Sequence, residues 1–203
     1  MSNFVEKKII GLTGMSGAGK STVCGLLKEK GWDIIDCDLI SRQVVMPSSR
    51  CLKEIAEVFG ENFITPSGNL DRKLMGETIF SDAKKRMLLN SIIYPYISYT
   101  VIERVVSSQA KVVVIDAPTL FESKIDDICD IIVSVIADRE TLAERIMNRD
   151  GITREQAISR LSSQFDKQFY IEKSDFHIEN GGDIEKLRQM TMEIADTIER
   201  CND

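Results

Sequence analysis

The sequence predicts an α/β protein built on a parallel sheet, and three observations carry that prediction. Short apolar runs alternate with helical stretches along the chain. Two of those runs are continuous in β-branched residues rather than alternating, as suits strands covered on both faces. The opening order is strand, glycine-rich turn, helix, strand, which is how a parallel α/β sheet begins.

Taken in order, Ile9 to Leu12 is a short buried strand that ends in the glycine-rich turn. A helix from Lys20 to Lys30 follows, with Val23, Leu26 and Leu27 at core-face spacing and Gly31 as its C-cap. Asp33-Ile34-Ile35-Asp36 is the second strand. Lys111 to Asp116, around Val112-Val113-Val114-Ile115, is the third, and Ile131 to Ala137 the fourth. A weaker fifth, Phe176 to Glu179, precedes Asn180-Gly181-Gly182 and a final helix from about Asp183 to Arg200.

More than seventy residues separate the second strand from the third, whereas a βα crossover needs only ~12. Helical periodicity near Ser49–Phe59, Asp71–Phe80 and Asp82–Ser107, with a turn at Pro66-Ser67-Gly68-Asn69, predicts a helical insert. Arg139 to Phe169 is helical, rich in Arg and Glu and poor in apolar residues over its middle, so a mobile flap is expected there rather than a core element. The expectation is one domain, 1–203, with its core at about 1–43, 108–138 and 170–203, an insert at about 44–107 and a lid at about 139–169.

Composition sets the class. The chain has 203 residues, 43% hydrophobic and 29% charged, with a net charge of −6; this is a globular balance with no general electrostatic case for nucleic acid. No apolar run approaches the ~18 residues that span a bilayer, and Met1 to Lys8 lacks the apolar core of a secretory signal. The five cysteines, Cys24, Cys37, Cys51, Cys129 and Cys201, are scattered and show no metal-ligand spacing. Reduced thiols and a cytoplasmic location are expected. The eight methionines are dispersed and read as core filler.

Chemistry concentrates at Gly14-Met15-Ser16-Gly17-Ala18-Gly19-Lys20-Ser21, a full G-x-x-x-x-G-K-[ST] match after a strand and before a helix. Glycines let successive N–H groups turn inward as an anion nest, and the following helix aims its N-terminus at the same point. Lys20 then reaches the β- and γ-phosphates, and the Ser21 hydroxyl can ligate Mg²⁺. Asp36 and Asp38 stand at the end of the second strand, where i and i+2 share a face, so both carboxylates are candidates to orient an attacking hydroxyl. Capping of a following helix is the alternative for each. Asp116 ends a buried strand near the loop, the place for a water-mediated Mg²⁺ partner, or else it is a turn residue before Pro118.

Arg145 and Arg149 lie on one helical face, with Arg154 and Arg160 beyond the break at Asp150-Gly151. They either neutralise charge on a transferred phosphoryl group or pair in solvent with Glu140, Glu144 and Glu155. The lone histidine, His177, reads as structural and gives no support to a His-dependent triad or multi-histidine metal site.

These residues resemble the dephospho-CoA kinase family over nearly the whole chain. The resemblance runs through GLTGMSGAGKSTV, DCDLISRQVVMP, FGENFI with GNLDRKL, LLNSIIYP, VVVIDAPTLFES, LAERIMNRDGITREQA and SDFHIENGG. It implies a three-layer P-loop kinase fold with a five-stranded parallel sheet, a helical acceptor-side insert and a helical lid. It implies ATP-dependent phosphorylation of the ribose 3′-hydroxyl of dephospho-CoA, an alcohol-group phosphotransfer that is the last step of coenzyme A synthesis. By the same resemblance, Asp38 is the general base, with Lys20 and Arg145 also catalytic. ATP is held by Gly14, Ser16, Gly17, Ala18, Gly19, Lys20, Ser21, Thr22, Arg145 and Arg149. The acceptor is held by Asp36, Asp38, Arg42, Arg72 and Tyr94, and Mg²⁺ by Ser21 and, through water, Asp116. The implied partners are small molecules, with no nucleic acid and no membrane, and the state is a monomer or small homo-oligomer.

Three positions depart from the family pattern: Tyr94-Pro95 for His-Pro, Thr119 for a leucine, and Leu142 for a glutamine. A shikimate- or gluconate-type kinase would share the loop but not GNLDRKL or DAPTLFE. A guanine-nucleotide switch would need N-K-x-D and D-x-x-G, and the sequence has neither.

Overall fold

The computed structural model describes residues 7–80 and 82–200. The opening segment read for a secretory signal and Cys201 lie largely or wholly outside them. Five strands form one sheet in the order β2-β3-β1-β4-β5. They are β1 (Lys8–Gly14), β2 (Asp33–Asp36), β3 (Val112–Asp116), β4 (Ile131–Ile136) and β5 (Phe176–Glu179). The pairings of β1 with β3, β1 with β4 and β4 with β5 are parallel. All five stretches expected to be strands are therefore strands. The register sets Leu12 opposite Asp116, Gly14 opposite Val135 and Ile136 opposite Glu179. The chain thus leaves these strands at one edge, the carboxyl edge at which open α/β sheets bind ligands.

By contact density the chain divides into two units, one of residues 1–35 and 108–203, the other of residues 36–107. The first contains α1 (Lys20–Glu29), α6 (Arg139–Asp150), α7 (Arg154–Ser162), α8 (Lys167–Lys173) and α9 (Ile184–Arg200). Val112 to Ile115 are all buried, so β3 carries the apolar run that a two-sided strand requires. Leu27 and Val23 of α1 and Leu187, Ala195 and Ile198 of α9 join the same core as Ile10, Leu12 and Val135. Lys30 clips α1 to α9 through Asp196 at 2.7 Å and Glu199 at 3.0 Å, and the Trp32 indole N–H donates to Glu199 at 2.9 Å. Gly31, just past α1, has φ +93, the left-handed conformation expected of a helix-ending glycine.

The second unit contains α2 (Cys37–Gln43), α3 (Arg50–Phe59), α4 (Arg72–Phe80) and α5 (Ala83–Ser107), with α2, α3 and α4 all packed on α5. Its own core gathers Val45, Cys51, Ile55, Phe63, Met75, Leu89 and Ile92. Each of the three longer helices starts one residue after the position that periodicity suggested, because that residue is the cap. The Ser49 hydroxyl accepts from Leu52 N–H at 3.1 Å, Asp71 from Leu74 N–H at 2.9 Å and Asp82 from Lys84 N–H at 2.9 Å. Pro95 sits inside α5, where its missing N–H removes one i→i−4 bond.

Three expectations are corrected. Asp38 is not a strand residue: α2 begins at Cys37, so the shared strand face of Asp36 and Asp38 does not exist. The Arg139–Phe169 stretch, expected to stand off the core, is docked in it along one side. Leu142, Ala143, Ile146, Ala157 and Leu161 are buried and belong to the main core, because a helix needs only three or four apolar residues per two turns to dock one face. The methionines are not uniformly filler: Met15 and Met75 are buried, but Met46 and Met87 are 57% and 71% exposed.

Candidate active site

The phosphate loop begins where β1 stops. Gly14 has φ +135, and a Cβ there would lie 2.1 Å from the Val135 carbonyl oxygen, so only glycine lets β1 stay paired to β4 at this point. Gly19, the residue before α1, has φ +101, and a Cβ there would lie 2.5 Å from Asn180 Nδ2. No side chain caps the start of α1 and its first turn carries no acid. Its leading N–H groups and the positive end of its dipole are thereby left for an anion. Lys20 Nζ donates to the Gly14 carbonyl at 3.2 Å, which arches the ammonium back over the loop. Ser21 and Thr22 are exposed on the same first turn.

Asp116 ends β3, half-buried. Its Oδ2 accepts from Cys24 Sγ at 3.3 Å. Cys24 lies three residues after Ser21, and residues at that spacing are neighbours on a helix face. The Asp116 carboxylate is therefore within about one helical turn of the Ser21 hydroxyl. A hard cation takes oxygen ligands and keeps several waters; a serine hydroxyl and a nearby carboxylate, with phosphate oxygens completing the set, fit that demand. Among the described residues no group of three or more His, Cys, Asp or Glu forms a metal cluster.

Arg145 is turned onto the loop. It donates to the Gly17 carbonyl at 3.3 Å and to the Asn180 carbonyl at 3.3 Å. Arg149, one turn on, goes elsewhere: it forks onto Asp150 at 2.7 and 2.9 Å, and Arg160 meets the same carboxylate. That double pairing holds the Asp150 carboxyl well below its usual range, at about 2, with the Arg149 hydrogen bonds the largest cause. Only Arg154 shows a pairing that the sequence suggested, with Glu140 at 2.6 Å. The structure thus separates the two arginines, bringing Arg145 and not Arg149 to the loop.

Within the second unit, Asp36 caps α2, its Oδ1 accepting from Leu39 N–H at 2.9 Å. The capping alternative holds for this residue. Asp38 lies in the first turn and Arg42 in the last turn of the same helix, both exposed. Arg72 opens α4, exposed, and Tyr94 sits half-buried on α5. Two residues of the first unit escaped the sequence reading. Asn180 is 8% exposed and its Nδ2 donates to the Ala18 carbonyl at 2.8 Å. Gln164 Oε1 accepts from the Ser16 loop N–H at 3.0 Å, beside a cavity of about 420 Å³ that Met15 and Phe165 also line. Asn180 had a signal, an amide directly after a strand and before Gly-Gly at the carboxyl edge; Gln164 had none. His177 is exposed on β5, and Leu142 is fully buried in the core.

A parallel sheet whose central strand runs into this loop, followed by an uncapped helix carrying Lys20 and Ser21, defines a P-loop nucleotide-binding protein. The chain belongs to the dephospho-CoA kinase family, whose model matches residues 8–186. A dephospho-CoA kinase of Fusobacterium nucleatum is 39% identical over 94% of this chain and 98% of its own. That of Arabidopsis thaliana is 38% identical over 95% of this chain and 84% of its own. The solved dephospho-CoA kinase from Campylobacter jejuni superposes with a TM-score of 0.71 at 25% identity, covering 97% of this chain and all (100%) of that one.

Proposed function

We propose that this chain transfers the γ-phosphoryl group of ATP to the ribose 3′-hydroxyl of dephospho-CoA, yielding coenzyme A and ADP. The observation that carries the reading is the phosphate loop itself, with Lys20 arched over it and Arg145 seated on its Gly17 carbonyl, in a chain of this family. The loop N–H groups and the start of α1 hold the phosphate chain, and Lys20 lies between the β- and γ-phosphates. Arg145 exchanges the Gly17 carbonyl for an oxygen of the transferred group as negative charge spreads over it. The proposed acceptor side consists of Asp38, Arg42, Arg72 and Tyr94. Asp38, exposed and in a helix first turn, accepts the proton of the 3′-hydroxyl as the oxygen attacks in line. Asp36, whose Oδ1 is committed to Leu39 N–H, serves by fixing the start of that helix.

Ser21, and Asp116 through water, would hold Mg²⁺, which would supply charge withdrawal from the phosphates. Residues 139–169 act as a lid that excludes water, so ATP is not hydrolysed idly. The other implied features follow the same reading: small-molecule partners alone, a monomer or small homo-oligomer, and a cytoplasmic site. No helix among the described residues is long and apolar enough to cross a membrane.

The test is a pair of substitutions. Asp38→Asn lowers kcat by on the order of 10²–10⁴ and leaves ATP affinity nearly unchanged, while Lys20→Ala loses both. Full turnover in Asp38→Asn removes it as the base, and an active Lys20→Ala removes the loop assignment.

A further inference from the structure

The side chain of Asn180 has no part in the reaction so far, yet both ends of its amide are engaged beside the loop. Its Nδ2 donates to the Ala18 carbonyl at 2.8 Å. Its Oδ1 accepts from the Gly182 N–H at 3.1 Å and from Arg145 at 3.4 Å. Its backbone carbonyl accepts from the same guanidinium at 3.3 Å, and its backbone N–H donates to the Ile136 carbonyl at 2.8 Å. The residue is thereby tied to β4, to the loop and to Arg145 at once.

Only a primary amide satisfies that set. Rotating it by half a turn would oppose Oδ1 to the Ala18 carbonyl and Nδ2 to both the Gly182 N–H and Arg145, three repulsive contacts for three attractive ones. An amide in the observed sense also orients the loop. In a planar trans peptide the C=O and the next N–H point in opposite directions. Holding the Ala18 carbonyl toward Asn180 therefore aims the Gly19 N–H to the opposite side of the peptide. The 2.5 Å approach of a Gly19 Cβ to Nδ2 shows how closely the amide is pressed against that peptide.

We infer that Asn180 is a positioning residue for phosphoryl transfer. Its side-chain amide sets the Ala18–Gly19 peptide of the phosphate loop, and its two oxygens seat the Arg145 guanidinium. The inference rests on the reading of the loop as the nucleotide site. The residue acts on the donor side alone, through groups that touch phosphate, and touches neither acceptor nor nucleotide itself.

The experiment compares Asn180→Asp with Asn180→Ala in steady-state kinetics and in thermal melts titrated with ADP. Asn180→Asp is nearly isosteric and keeps the oxygens that face Arg145, but it replaces the Ala18 donor by a charged acceptor; Asn180→Ala loses the Ala18 and Oδ1 contacts without adding charge, so a loss seen in both is not a charge effect. The expected result is a fall in kcat/KM for ATP of on the order of 10- to 100-fold in Asn180→Asp and more in Asn180→Ala. The KM for dephospho-CoA stays within about twofold, and roughly 10-fold or more extra ADP is needed for the wild-type rise in Tm. A lower Tm with unaltered kcat/KM for ATP and an unaltered ADP titration would make Asn180 a structural residue only and overturn the inference. Should Asn180→Ala fail to fold, Asn180→Ser, neutral and too short to reach the Ala18 carbonyl, decides. Lys20→Ala in parallel separates the two failures: if it still binds ADP, the loop reading falls, and if it does not, only the role of Asn180 is at stake.

Discussion

Replacing Gly19 by alanine loads the loop where Asn180 presses on it, and the structure allows the cost to be worked out. Gly19 has φ +101, and an L-residue held in left-handed backbone costs roughly 1–2 kcal/mol. The new Cβ would lie 2.5 Å from Asn180 Nδ2. That nitrogen cannot simply swing aside, because it is buried and bonded to the Ala18 carbonyl at 2.8 Å. Breaking that bond leaves a buried polar group unsatisfied, at about 1–3 kcal/mol. Together these give roughly 2–5 kcal/mol, and at roughly 2–4 °C per kcal/mol for a chain of this size the Tm falls by about 4–20 °C. Differential scanning calorimetry with and without ADP, and calorimetric titration of ATP, measure both arms. Gly25 in α1 is the internal control: a Cβ there meets nothing within 4 Å, so Gly25→Ala should stabilise by roughly 0.5–1 kcal/mol. A Gly19→Ala protein with wild-type Tm and wild-type nucleotide affinity would refute the reasoning, since neither the backbone nor the Asn180 contact would then be under constraint.

Two further predictions follow from polar groups near the loop. Because Gln164 occupies the Ser16 N–H at 3.0 Å, an incoming phosphate oxygen must displace it. Gln164→Ala should bind ATP and tripolyphosphate roughly 2- to 10-fold more tightly by calorimetry, and weaker or equal binding would place the Ser16 amide off the phosphate path. The Asp150 carboxyl is depressed from 3.8 to about 2 by Arg149 and Arg160. A depressed acid contributes stability above its unfolded pKa and loses it as pH falls through the folded one. The difference in Tm between wild type and Asp150→Asn should therefore hold above about pH 4 and vanish by about pH 2; a difference that persists at the acid end would contradict the pairing.

How much of this was legible in the sequence differs element by element. The strands were, because Val112 to Ile115 and Ile131 to Ile136 are runs of a kind that only a two-sided sheet buries. The long helices were too, apart from a consistent offset of one residue at Ser49, Asp71 and Asp82, where periodicity counts the cap as helix. The loop was legible since its spacing is a geometric requirement. What failed were arguments resting on an assumed local state. Asp36 and Asp38 were assigned a common strand face, but Asp36 stops the strand by capping α2, and Asp38 then points according to helical rather than strand geometry. Residues 139–169 were read as standing off the core from low mean apolarity, although docking depends on where the few apolar residues fall, and Leu142, Ile146 and Leu161 are all buried in it. Asn180 and Gln164 are separated in sequence from the loop atoms they bind by 162 and 148 positions. No local pattern encodes such a contact; only the sheet order brings it about.

The central claim, transfer from ATP to the 3′-hydroxyl of dephospho-CoA, is tested most directly by coupled ADP release with a panel of acceptors. Dephospho-CoA, shikimate, gluconate and nucleoside monophosphates are compared at equal concentration, with the product of the first separated by chromatography against authentic coenzyme A. The account predicts ADP release matched one-for-one by coenzyme A with dephospho-CoA, and only background with the others. Robust turnover of another acceptor, with none for dephospho-CoA, would contradict it.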